Sequence, residues 1–408
     1  RYVPMFDVES ARSKFPALSR THRGRPVAYL DGPGGTQVPA SVTAAITGVL
    51  DAGVSNLGGG FASSELAEEI TVQARRAGAD LFGATDPEEI VFGQNMTSLT
   101  FSMSRALART WRPGDRIIVT SLDHDANVSP WRMAAADAGV AVDIARFDSH
   151  SYTLDVGAVE ELLTDRTRLV AVTHASNALG TIPDVPAIVV AAHRAGALTY
   201  VDAVHYAPHG VVDVANTGTD FLVASAYKFF GPHTGLLYGQ TEHLDGLEAY
   251  KVRPAPDQGG GKWETGTQSF EALAGVTAAV DHLASLGNGV NRRAQLIDGH
   301  RQVDDHLRGL TDRFLAGLPD HITLYGIAGT KARTPTFAVN IDGFAPDEVA
   351  ARLAENGLYV WSGHYYAIEP MAQLGLLDGG GAVRIGFVHT TTEDEVEHLL
   401  TVMATLRR

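Results

Sequence analysis

The chain has 408 residues, 45% of them hydrophobic and 19% charged, enough for one large apolar core and a smaller second one and too apolar for a disordered chain. Its 32 Lys and Arg against 47 Asp and Glu give a formal net charge of −15 with no long basic run, which argues against nucleic acid and anionic membrane surfaces as partners, since neutralising phosphate needs clustered cations. The absence of cysteine removes disulfides, thiolate metal sites and thiol nucleophiles together.

In chain order, the Gly-rich stretches 31–35 and 58–60 come first, as loops where backbone turns sharply or approaches something closely. Short β-branched runs then alternate with helix-period stretches. Strands are expected at 89–92, 116–120, 140–146, 168–173, 198–202, 221–225 and 234–239, and helices between them at 98–110, 129–138 and 185–195. Near-continuous apolar strands in such alternation predict a mainly parallel seven-stranded sheet covered by helices on both faces. A third Gly-rich loop follows at 259–261. After about residue 285 the texture changes: one long helix over 290–318, strands at 334–341 and 382–386, and helices at 345–356 and 392–406. This predicts a smaller α+β domain, with residues 16–288 forming the large domain and 1–15 plus 289–408 the small one. No apolar run reaches the length of a membrane span, and 188–203 is broken by His193, Arg194 and Asp202. Nothing reads as a secretory signal, so a cytoplasmic protein is expected.

Five residues are lysines, and only Lys228 ends an apolar strand, with Phe229, Phe230 and Gly231 after it. A lysine there is costly unless its amine is neutral or covalently used. Catalytic sites of open α/β sheets lie at that edge, although a snorkelling lysine is the plainer alternative. Asp202 ends the strand before, placed to keep a pyridinium nitrogen protonated so that the ring acts as an electron sink. Gln94-Asn95-Met96-Thr97 opens the helix at 98–110, where backbone N–H groups and the Thr97 hydroxyl form a phosphate cradle; an N-cap would also suit a Thr. His124, in Asp123-His124-Asp125-Ala126-Asn127, fits stacking on a flat cofactor better than metal ligation, because adjacent Asp and His point apart. His205 and His209 have the spacing of a helical metal pair but no third ligand nearby, and no metal site is expected. Asn177 follows a strand, where an amide can also form a turn. Thr97, His124, Asn177, Asp202, His205, Ser225 and Lys228 thus converge on one edge of one sheet.

The segment Ser225-Ala226-Tyr227-Lys228-Phe229-Phe230-Gly231-Pro232 resembles the Ser-x-His-Lys-x-x-Gly-Pro signature of the class V aminotransferase family, in its cysteine desulfurase-like branch. The likeness runs from Tyr29-Leu30-Asp31 to the helix at 393–400. It implies a pyridoxal 5′-phosphate (PLP) enzyme of fold type I that acts on an amino acid or related amine. By that resemblance Lys228 carries the cofactor as a Schiff base, while Ser225, Thr97 and the Met96 backbone hold its phosphate. Tyr227 stands where the family usually has a phosphate-touching His. His124 would stack on the ring, and Asn177 and His205 would reach its hydroxyl side. Glu264-Thr265-Gly266-Thr267-Gln268 resembles the segment that contacts phosphate across a dimer interface, which implies a homodimer with Thr267 completing the neighbour's site. Arg384 matches the arginine that clamps the substrate carboxylate, as a planar guanidinium does bidentately. Gly35, Trp361 and Tyr366 are the further expected substrate contacts.

Two departures from the family pattern bear on function. Desulfurases need a mobile cysteine in the loop before the last strand; here the loop reads Val360-Trp361-Ser362-Gly363-His364-Tyr365-Tyr366-Ala367, with Tyr366 at the cysteine's place. A phenol cannot accept sulfur as a persulfide, so persulfide-forming desulfuration is excluded chemically. Trp361 also replaces a second substrate-facing arginine, and Asn56-Leu57-Gly58-Gly59-Gly60 replaces a His-Arg pair. The pocket becomes more aromatic and less cationic, suited to a substrate bulkier or less acidic than cysteine, unless the aromatic loop merely packs over the site. The expected activity is transamination. The alternatives are Cβ elimination (C–S lyase chemistry included), racemisation or epimerisation with Tyr365, Tyr366 or His364 as second acid, and a non-enzymatic PLP-binding scaffold.

Overall fold

A computed structural model describes residues 6–408; of the segment 1–15 assigned to the small domain, residues 1–5 lie outside the described residues. The strands of the first two thirds form one seven-stranded sheet in the order Ile90–Gly93, Gly235–Gly239, Phe221–Ser225, Leu198–Asp202, Thr167–Thr173, Arg116–Thr120, Ala141–Ala145. Gly235–Gly239 runs antiparallel to both neighbours and the other pairings are parallel. Each strand lies within one residue of its sequence range.

Continuous apolar strands are explained by burial on both faces. In Phe221–Ser225 every residue is buried, and the pleat sends alternate side chains to opposite layers. Leu222 and Ala224 join Phe82, Phe92 and Val201 on one face. Phe221 and Val223 join Val91, Tyr200 and Trp131 on the other. Helices Ala62–Phe82 and Phe270–Ala284 contribute to the first layer, Met96–Ala108 and Ser129–Ala138 to the second.

The last third builds an antiparallel sheet ordered Ile322–Tyr325, Thr336–Ile341, Ala382–Gly386, Trp361–Gly363. It packs on helices Arg292–Gly317 and Glu393–Thr405 around Phe314, Phe337 and Phe387. Two helix starts differ from the sequence ranges by two residues, each because of an asparagine cap. The long helix begins at Arg292 because Asn291 accepts from the Ala294 N–H at 2.8 Å. The helix expected from residue 98 begins at Met96, where Asn95 and Ser98 form a capping box.

Pairings that no local pattern shows tie the chain's start to its end. Ala28–Tyr29 pairs in parallel with Leu358–Tyr359, and Asp31 bridges to Gly386. Arg12 pairs with Glu395 at 3.0 Å. The division into 16–288 and 1–15 plus 289–408 is a proposal, and the apolar cluster holding Phe15, Phe230 and Tyr365 runs across it. Among the described residues no helix is long and apolar enough to cross a membrane.

Candidate active site

The parallel strands end together, and a cavity of about 920 Å³ opens at that edge, between their carboxyl ends, the start of helix Met96–Ala108 and the 361–366 loop. Lys228, Asp202, His124, Met96, Thr97, Asn177, His205, Ser225, Tyr227, Arg384, Trp361 and Tyr366 all line it. Two of the expected site residues do not. Gly35 lies behind Tyr227, where a Cβ would stand 3.4 Å from the phenol ring. Thr267 is exposed, and its Oγ1 accepts from the Asn56 amide at 3.4 Å.

Lys228 sits in the turn that ends Phe221–Ser225. Its Nζ donates to the Pro33 carbonyl and stands 4.8 Å from the Tyr227 ring centroid. Burial, helped by the Arg384 guanidinium, lowers its pKa to about 7 against the pull of Asp31 and Asp202. Asp202 Oδ1 accepts from the Val204 N–H at 2.9 Å, and burial lifts the carboxyl to about 6, with Lys228 partly opposing. No hydrogen bond from a described residue reaches Oδ2. Behind it lies Asp123, fully buried and bound by the Thr120 hydroxyl and, at 2.7 Å, the Asn127 amide. Burial lifts Asp123 to about 8, and the charge of Asp202 adds to the rise.

His124 Nδ1 accepts from the Ala126 N–H at 3.0 Å, so the neutral ring carries its proton on Nε2. Burial first, then Lys228 and Arg384, depress its pKa to about 3, leaving an uncharged flat surface. Tyr366 stacks on it at 5.6 Å and 22°. Asn95 is the helix cap, so the Thr97 hydroxyl is not; its one contact is the Met96 sulfur at 3.6 Å. The Met96 N–H donates to Ser225 Oγ at 2.9 Å. Gly235 lets strand and helix start approach this closely, since a Cβ there would meet the Asn95 carbonyl carbon at 2.5 Å.

On the opposite wall, Asn177 Nδ2 donates to the Tyr365 carbonyl at 3.1 Å, while its buried Oδ1 has no partner. Arg384 donates to Asp31 Oδ1 at 2.9 Å and to the Asn177 carbonyl at 3.3 Å, and stands 4.7 Å from the Tyr365 ring centroid. His205 Nε2 lies 3.0 Å from both Thr334 Oγ1 and Thr336 Oγ1, so that nitrogen faces the small sheet. Tyr365 and Tyr366 hold left-handed backbone (φ 42° and 57°), and the Asp125 N–H donates to the Tyr366 carbonyl at 2.7 Å. Tyr365 is buried, while Trp361 and Tyr366 are 55% and 67% exposed at the mouth.

Sequence reasoning missed Asp31 and His233, which line the cavity, and Asp123, which lies buried behind Asp202 without lining it. Asp31 reads in the sequence as the start of a Gly-rich loop and of the family likeness, without a site role, and His233, which stacks on Tyr227 at 4.6 Å and 12°, carries no signal. Among the described residues no three His, Cys, Asp or Glu side chains are grouped to hold a metal. A phosphorylated pyridine aldehyde fits what is present: an amine held near neutrality, a carboxylate with one open oxygen, a helix start whose hydroxyl is bonded only to a thioether, and a buried amide oxygen without a partner among the described residues.

Comparison with known proteins agrees. The family model Aminotransferase class-V matches residues 28–399. An aminotransferase-like protein of Gibberella zeae is 32% identical over 409 residues, with 98% of each chain covered. A probable cysteine desulfurase of Mycolicibacterium paratuberculosis is 33% identical over 97% of this chain, which spans 58% of that protein's length. Among solved structures, the apo cysteine desulfurase of Thermococcus onnurineus superposes with a TM-score of 0.88 at 27% identity, covering 98% of this chain and 97% of that one. The fold is the type I fold of PLP enzymes, and the chain belongs to the class V aminotransferase family, whose cofactor, pyridoxal 5′-phosphate, it uses.

Proposed function

We propose that this PLP enzyme is an aminotransferase for an amino-acid-like amine, with Lys228 as covalent anchor and proton carrier. The observation that carries the reading is the Lys228 amine, held at about 7 inside the cavity. A group with its pKa near the working pH can take a proton from one carbon and return it to another, which transamination requires of one residue. Bound PLP supplies the electron sink that makes the substrate's Cα–H acidic.

In this reading Asp202, through its open Oδ2, would hold the positive charge of the ring nitrogen, and neutral His124 would lie against the ring. The Met96 backbone, Thr97, Ser225 and Tyr227 would hold phosphate, while Asn177 and His205 would serve the ring hydroxyl side. Arg384 receives the substrate carboxylate, replacing part of its pairing with Asp31. Gly35 sets the wall behind Tyr227, and Trp361 and Tyr366 screen the mouth from water. Thr267, outside its own chain's cavity, serves the second chain of a homodimer. With no cysteine in the chain, sulfur is not received as a protein persulfide.

Single-turnover mixing of holoenzyme with a panel of amino acids tests this. Formation of pyridoxamine 5′-phosphate with an equivalent of keto acid is expected. Keto acid with ammonia and unchanged PLP would replace transamination by a lyase. Solvent deuterium at Cα without net product would replace it by a racemase.

A further inference from the structure

A second cavity, of about 410 Å³, lies between helix Arg292–Gly317 and the segments 206–211 and 330–335. It shares a wall with the active site. Thr334 lines the second cavity, and its Oγ1 stands 3.0 Å from Nε2 of His205, which lines the first. His209 lines the second, its ring meeting that of His205 edge to face at 5.1 Å.

The charge of this lining runs against the chain's net −15. Arg301, Arg308 and Arg333 line it, with Asp304 the one carboxylate. Arg301 pairs with Asp298 at 2.7 Å and Arg308 with Asp304, so two guanidiniums are matched. Arg333 is not. It is 7% exposed, among the described residues donates from its side chain only to the carbonyls of Ile327, Thr334 and Thr336, and lies 4.5 Å from the Phe337 ring centroid. A buried cation balanced by dipoles alone is costly, and a counter-ion relieves that cost. Burial depresses the Arg333 pKa to about 10, the same penalty seen in proton affinity. Independently, His209 is 9% exposed and its Nδ1 has no hydrogen-bond partner among the described residues. A buried ring nitrogen left unpaired marks a place where a partner belongs. Val211, Ile297, Leu307 and Pro335 give the wall an apolar stretch, beside the more polar side formed by Tyr206, His300, Thr311, Thr330 and Thr334.

We propose that this cavity is a second small-molecule site, for a monocarboxylate with an apolar body. The one unmatched guanidinium sets the single negative charge, His209 supplies the hydrogen bond, and the aliphatic wall takes the body. Occupancy acts on the active site through the shared wall. Thr334 touches His205, and the backbone of Ala332 and Thr334 is bonded to that of Ile182 and Gly180, at 2.9 and 2.8 Å, just beyond Asn177.

Calorimetric titration of the holoenzyme with benzoate, and with benzamide as the uncharged control, tests the proposal without turnover. Benzoate is expected at two sites per chain, this cavity and Arg384, and benzamide at neither. Ile297 lines the cavity and is 45% exposed, so Ile297→Trp fills the opening without disturbing the core. It should remove one benzoate site and leave PLP content unchanged. Arg384→Gln should keep the site that Ile297→Trp removes, and His209→Phe should weaken that site at least tenfold. Equal benzoate stoichiometry in wild type and Ile297→Trp overturns the proposal, as does benzamide binding at the same site as tightly as benzoate. The wild-type and Ile297→Trp pair decides even if Arg384→Gln does not fold.

Discussion

Asp202 is buried and Lys228 half-buried, both are ionisable groups whose charge is unfavourable without a partner, and the proposed chemistry rests on that imbalance. For Asp202 the sign is definite. Its pKa rises from the ordinary 3.8 to about 6 on folding, so the folded chain binds that proton more tightly than the unfolded one. The stability this adds is complete below 3.8, falls as pH rises through 6, and is absent at neutrality, a difference on the order of 3 kcal/mol. Asp202→Asn in the cofactor-free protein should therefore raise the melting temperature at pH 7.5 by several degrees, while PLP affinity falls at least tenfold. A variant that melts lower and still binds PLP normally would show that the carboxylate is structural. In the proposed reading, the cost of the apo carboxylate is what a protonated ring nitrogen would offset.

At the scale of elements, the site is an edge where strand ends meet one helix start, held close by a missing side chain. Gly235→Ala would put a Cβ at 2.5 Å from the Asn95 carbonyl carbon and push the helix off Ser225. We expect a stability loss of about 1–3 kcal/mol, read by urea unfolding, with faster PLP release; unchanged release would mean the helix start does not hold phosphate. Strands were legible in the sequence because doubly covered strands read as unbroken apolar runs, and Lys228 and Asp202 stood out as polar residues ending such runs. Helix starts were less legible, since Asn95 and Asn291 act through single caps that a hydrophobic period does not register. Asp31 was not legible as a site residue. Its partner Arg384 is 353 positions away, and only the fold brings a Gly-rich loop against the last strand. His233 likewise enters the cavity through stacking on Tyr227, which spacing does not encode.

Across the whole molecule, burial keeps a set of histidines neutral. His124, His174 and His209 are depressed to about 3 and His282 and His300 to about 4, burial being the main cause for each. A depressed pKa gives stability that is present above the unfolded value of 6.5 and lost as pH falls toward 4 and 3. The urea midpoint should therefore fall steeply below pH 6.5; a midpoint level from 6.5 to 4.5 would contradict this burial pattern. Assembly is tested by sedimentation. A two-chain holoenzyme is expected, and Thr267→Ala should loosen PLP; a monomer that keeps its full complement would remove Thr267 from the site. The most direct test of the central claim is borohydride reduction of the holoenzyme followed by peptide mass mapping. The cofactor's mass should appear on the peptide containing Lys228 and disappear in Lys228→Ala. Its appearance on any of the other four lysines, or its persistence in Lys228→Ala, would contradict the account.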